Sequence, residues 1–287
     1  MKCLPSVAVA PRYVPLVMKR LPAIAVTLAA LALSRPAGAE EPFAIAWGLD
    51  LPIAVAGLAF GGAMQGLKEE LVTERCAPSC DRTRVNALDD ATSGRFSRDA
   101  ALAGDVLVGV NLALPHLLGA VDAFESGRPA SSLGRDTVLL AETLAVSVAV
   151  HQVVAFVARR PRPYVYAASL DPAFLHGANS YLSFYSGHTA NSFAMATSYS
   201  AIFAARHPKS ALTPAVVALT HGLAALEGYT RVMSGYHYPS DVLVGALAGS
   251  TLGLVVPWLH RATPSAWSVA PVGPGDALGA TLTWQER

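Results

Sequence analysis

The sequence predicts an all-α bundle of six helices of the kind seated in a membrane, closed by a short C-terminal β-hairpin. Three observations carry that expectation. Only 14% of the 287 residues are charged and 53% are hydrophobic, whereas ordinary soluble domains run about 25% charged. Six apolar runs, each long enough for a helix and none alternating at period two, are separated by polar loops. Near the C-terminus, residues 278, 280, 282 and 284 are apolar at alternate positions beyond a turn-rich Gly-Pro-Gly-Asp. The same composition excludes a disordered chain. A balance of 21 Lys and Arg against 20 Asp and Glu excludes the basic excess that nucleic-acid binding needs.

In chain order, residues 1–39 read as a secretory signal, with Met18 as a possible true start. Lys19 and Arg20 form its charged region, Leu21–Leu33 its apolar run, and Ala37-Gly38-Ala39 its cleavage site. The helical domain is expected over 40–261. Its apolar runs are Ala44–Leu67, Ala101–Ala120, Thr137–Ala158, Thr189–Ala205, Leu212–Leu226 and Val242–Leu259. Gly245, Gly249 and Gly253 form a small-residue stripe that permits close helix packing. Asp105, Asn111, His116, Glu142, His151, His221 and Glu227 interrupt the runs. Ionisable groups are costly in lipid, so these should face the bundle interior, paired with one another or bracing a site. Between the first two runs, Cys76 and Cys80 flank Ala77-Pro78-Ser79. In an oxidising compartment they suit a small disulfide. A metal pair is less well supported, since no second ligand pair stands nearby. Residues 262–287 form the hairpin extension, Ser268–Val272 and Ala277–Trp284 flanking Gly273-Pro274-Gly275-Asp276.

Three stretches carry chemistry. Arg159-Arg160-Pro161-Arg162-Pro163 ends the third run. Its prolines stop the helix, and guanidinium forks match phosphate oxygens. Tyr185-Ser186-Gly187-His188-Thr189 opens the fourth, where unpaired N–H groups attract anions and an imidazole can hand over a proton. Thr230-Arg231, His237 and Asp241 lead into the sixth, with Ser240 as the expected cap. A carboxylate on one ring nitrogen of His237 would fix the tautomer and leave the other as nucleophile. If the helices alternate in direction, all three stretches meet on one face around an anion-sized site.

The pattern Arg162-Pro163, Ser186-Gly187-His188, and Arg231-x5-His237-x3-Asp241 resembles the type 2 phosphatidic acid phosphatase and vanadium haloperoxidase superfamily over about residues 101–259. That resemblance implies that His237 attacks phosphorus and that Asp241 orients it. It implies that His188 protonates the leaving alcohol, while Arg162, Arg231, Ser186 and the Gly187 amide hold the phosphoryl oxygens. No metal and no other cofactor is implied. Three positions depart from the family's pattern. Tyr185 stands for its Pro and Thr230 for its Ser. Its Lys falls at Ala155, and Arg159, one helical turn on, is the expected substitute.

The function expected from these residues is metal-independent hydrolysis of a lipid phosphate or diphosphate through a phosphohistidine. The rivals are a soluble periplasmic acid phosphatase on small esters, a vanadate-binding haloperoxidase, and a non-catalytic envelope protein that keeps the fold. The expected place is the cell envelope, in the inner membrane with the site facing the periplasm, or in the periplasm itself. A cleaved signal followed by six spans would put the site inside. A periplasmic site then requires a first run that does not span, or a soluble bundle.

Overall fold

The computed structural model describes residues 41–73, 76–77, 79–167, 170–262, 267–271 and 280–284. The signal expected at residues 1–39 lies outside them. Six long helices appear where the apolar runs stand. They are α1 (Trp47–Gly66), α2 (Arg98–Glu125), α3 (Ala130–Ala158), α4 (Gly187–Arg206), α5 (Thr213–Met233) and α6 (Pro239–Leu259). Two strands follow, β1 (Trp267–Pro271) and β2 (Ala280–Trp284). They pair antiparallel with Trp267 opposite Trp284, which is the expected hairpin.

α4 is the central helix and packs against α6, α5, α3 and α2. Its inner surface is small and hydroxylated. Ser192, Thr197, Ser198 and Ser200 are buried and bond across to Asn111, His221, Thr143 and Thr220 respectively. Small residues also set the fit of α6. A Cβ on Gly249 would lie 2.0 Å from the Ala190 carbonyl oxygen, and one on Gly253 2.5 Å from that of Ala194. The two helices therefore touch backbone to backbone, as a small-residue stripe allows.

Among the described residues, four helices are long and apolar enough to cross a membrane: α1, α2, α3 with its continuation to Tyr166, and α6. Their outward faces expose large apolar side chains, such as Leu102 (64%), Leu247 (70%) and Trp258 (63%). Such a belt suits lipid and not water, and the chain is a membrane protein. α4 and α5 fall short of the same measure because their hydroxyls, His221 and Glu227 lower their hydropathy. By length and hydropathy α1 meets the measure as the other three do. Its Asp50 is buried and does not interrupt the lipid-facing surface.

At one end of the bundle the chain passes from α1 to α2, from α3 to α4 and from α5 to α6. The other end holds both flanks of the helical domain. There Ala44 N–H donates to His260, Ala262 N–H donates to Pro42, and Phe43 bridges to Arg261.

Candidate active site

The first of these ends holds a cavity of about 320 Å3. It is lined by Gln65, Asp105, His151, Arg162, Asn179, Gly187, His188, Arg231, Tyr236 and His237. The convergence expected for the three stretches is thus present for Arg162, Gly187, His188, Arg231 and His237.

His237 sits in the turn before α6 and is 2% exposed. Its Nδ1 lies 2.7 Å from the Ser183 carbonyl. A carbonyl only accepts, so Nδ1 carries the proton and Nε2 keeps its lone pair. Nε2 stands 3.3 Å from Arg162 Nη1. Burial first, then the nearby Arg162 and Arg231, hold the imidazole well below its ordinary pKa, which favours the neutral ring.

The arginines are fixed before any ligand arrives. Arg162 donates through Nε to Asn179 O at 2.6 Å, and through its terminal nitrogens to Tyr236 O, Asn179 Oδ1 and Leu182 O. None of these acceptors carries charge. Arg231 Nη1 donates to Asp105 Oδ1 at 2.9 Å. Both guanidiniums lie over the Tyr236 ring, at 5.1 and 4.8 Å from its centre. The cavity therefore holds more positive than negative charge in a buried setting, which favours an anion. His188 Nε2 is 3.3 Å from Asp105 Oδ1. That carboxylate, half exposed on α2, spans His188 and Arg231, and a carboxylate there orients the imidazole.

Four expected placements are corrected. Asp241 does not reach His237 directly: its Oδ2 is 3.8 Å from Nδ1. It accepts instead from Ser183 Oγ and from the Tyr238 N–H at 3.0 Å, so it steadies the residue whose carbonyl holds the ring. Ser240 is not the cap of α6. The helix begins at Pro239, and Asp241 caps the Tyr238 amide from the third position. Ser186 does cap α4, its Oγ accepting from Thr189 N–H at 3.4 Å. Its hydroxyl is thereby buried beside Thr189 Oγ1 and does not line the cavity. Arg159 ends α3 with a left-handed φ of 43°. That turn carries its side chain outward, where it lines a separate cavity with Cys76, Cys80, Asp81, Arg84 and Arg160. Ala155, at the family's Lys position, is buried in the apolar core.

The sequence marked His151 only as one of several ionisable groups that could brace a site, and Arg160 only as part of its arginine stretch, with no specific contact for either. His151, one turn before Ala155, supplies the α3 contact that Arg159 does not. Its ring packs on Gly187 so closely that a Cβ there would meet it at 2.7 Å. The only signal was a histidine in an apolar run. Arg160 donates to Asp241 Oδ1 and Ser240 Oγ, and to Asp89 Oδ2 at 2.7 Å, and stacks 4.1 Å over Tyr238. Burial pushes the Asp89 carboxyl up, but hydrogen bonds from Ser240, Arg160 and Asn86 outweigh it and hold the group below its ordinary value. The sequence offered no signal for Asp89, which is 71 residues from Arg160. An Arg159→Ala variant is expected to keep phosphate release within about twofold of the parent, because the side chain lies outside the cavity. His151→Ala should lower it roughly tenfold or more by unseating Gly187. The two rates measured side by side check this.

Residues 136–264 match the family model described as PAP2 superfamily, a stretch that runs from α3 through α6 and contains Arg162, Gly187, His188, Arg231, His237 and Asp241. That match bears out the resemblance drawn from the motifs. Among solved structures, the chain is similar to the crystal structure of the first transmembrane PAP2 type phosphatidylglycerolphosphate phosphatase from Bacillus subtilis. It is 18% identical with a TM-score of 0.44, over 73% of this chain and 94% of that one. No curated protein matches the chain.

Proposed function

We propose that the chain is a lipid phosphatase that transfers a phosphoryl group to His237 Nε2 and then to water. The observation that carries this reading is the buried His237, whose Nε2 accepts from Arg162 Nη1 at the edge of a cavity flanked by Arg162, Arg231 and His188. In the first step Nε2 attacks phosphorus and the bond to the leaving oxygen breaks. His188, entering this step as the imidazolium, donates a proton to that oxygen and is left neutral. In the second step His188 takes a proton from water, whose oxygen attacks phosphorus and frees His237. Arg162, Arg231 and the Gly187 amide at the start of α4 offset the charge on the phosphoryl oxygens. Asp105 acts as a positioning residue for His188.

The lipid part of the reading rests on the flanks of the cavity. The helices that supply Asp105 and His151 also expose Leu102, Val106, Val153 and Val157 outward, a surface on which an acyl or prenyl chain can lie. The test is phosphate release from phosphatidic acid, a prenyl diphosphate and an aryl phosphate, in EDTA. Release is expected to survive EDTA and to be fastest with a lipid. Fastest release from the aryl phosphate would favour the small-ester reading.

The site faces the oxidising side of the membrane in this reading. Cys76 and Cys80 are bonded to each other, and both line the cavity beside Arg159 and Arg160 at the active end. Disulfides persist in oxidising compartments. Residue 41 then lies on the opposite, cytoplasmic side, the reverse of what a cleaved leader would give. In intact cells, reduction followed by a membrane-impermeant maleimide should label these cysteines. Labelling only after the membrane is broken would reverse the orientation.

A further inference from the structure

The geometry points to a divalent metal site at the end of the bundle opposite the phosphatase cavity, formed by Asp50, Glu142 and His260 and suited to Zn2+ or a similar first-row ion. The three come from the first turn of α1, from α3 and from the residue that ends α6. One ligand atom from each lies within 4.8 Å of the others.

His260 Nε2 stands 3.4 Å from Asp50 Oδ2 and 3.2 Å from Glu142 Oε2. Ligands around a tetrahedral zinc at ordinary bond lengths stand roughly 3.3 Å apart, so these separations leave room for an ion between them. The imidazole is already turned for the purpose. Its Nδ1 lies 2.8 Å from the Val256 carbonyl, which takes the Nδ1 proton and leaves the Nε2 lone pair facing the carboxylates. Asp50 Oδ2 is held by the Ala46 N–H at 2.7 Å.

Glu142 supplies an independent observation. The residue is 7% exposed, and its Oε2 is buried without a hydrogen-bond donor. A buried carboxylate oxygen aimed at an imidazole lone pair is costly unless a cation or a shared proton stands between them. A divalent ion with neutral imidazole balances the two carboxylates. A cavity of about 390 Å3 lined by Asp50, Leu259, His260 and Arg261 reaches the cluster. It gives the ion an entry path and space for water as a fourth ligand. Imidazole with two carboxylates suits Zn2+ or Mn2+ better than a soft ion. The ion would tie α1, α3 and α6 together, far from the phosphoryl chemistry, so its effect is on stability.

The test uses the full chain in detergent, stripped with EDTA and freed of chelator, then titrated with Zn2+ alone and with Co2+ alone. One ion per chain, a visible band of four-coordinate Co2+, and a Tm rise of roughly 5–10 °C at 100 times Kd are expected. Glu142→Gln and His260→Gln should each abolish the rise, with far-UV circular dichroism reporting that the helices persist. Absence of a bound ion in the parent overturns the proposal, as does an undiminished rise in the double variant. Should the variants unfold, the Co2+ spectrum of the parent decides between the same two outcomes. Phosphate release is expected to be unchanged by stripping at 25 °C, so a failed phosphatase reading and a failed metal site give separate results.

Discussion

A His237→Ala variant is expected to lose phosphate release by at least about 10^4-fold, the scale on which removing a covalent nucleophile acts. The loss should fall on kcat, because Arg162, Arg231 and the Gly187 amide remain to bind the phosphate. Arg162 would keep its place, since its bonds to Asn179, Tyr236 and Leu182 do not involve the imidazole. Brief incubation of the parent with a 32P-labelled substrate, quenched in alkali, should trap label on the protein that is released by acid, and the variant should trap none. The depressed pKa of His237 has a sign that can be read in the same assay. In the proposed mechanism the neutral ring is the nucleophile, and burial favours that form in the folded protein. The imidazole should therefore keep working as pH falls through 6.5 and be protonated only well below it. Full activity of His237→Ala, or label trapped elsewhere, would end the phosphohistidine reading.

Arg160→Gln should be the largest loss of stability at this end, about 3–5 kcal/mol. Its guanidinium lies between Asp89 and Asp241, whose side chains are both fully buried. Neutralising it leaves two carboxylates facing one another out of water. Thermal unfolding should show a fall in Tm of roughly 10 °C or more. The combination Arg160→Gln with Asp89→Asn should lose less than the sum of the two single changes, because each relieves a charge the other strands. Strict additivity would mean that the contact contributes nothing.

The helices were legible because lipid and a close-packed interior both demand long apolar runs, and such runs leave a plain trace. Much of the site was legible as well. His237 and Arg231 stand at fixed spacing around one turn, and His188 opens a helix. What escaped was set by packing between distant segments. The Ser183 carbonyl on His237 is a backbone group, which no residue type announces. Asp89 comes from a polar loop with no pattern, and meets Arg160 and Ser240 only once that loop folds over the bundle. Arg159 was misplaced because a helical wheel assumes the helix continues. Pro161 and the left-handed turn at Arg159 end it one residue too soon.

The backbone contact between α4 and α6 has a consequence for how the site tolerates change. Gly187 and His188 ride on the start of one helix, and His237 sits just before the start of the other. The glycines act as calipers whose jaws are His188 and His237. Gly249 is about 12 Å along the axis from Asp241, yet any side chain there would open the jaws by pushing α4 away. The gap between His188 and His237 is therefore gauged from deep in the bundle. Adjustment to a bulkier headgroup is left to α1, which lines the same cavity through Gln65.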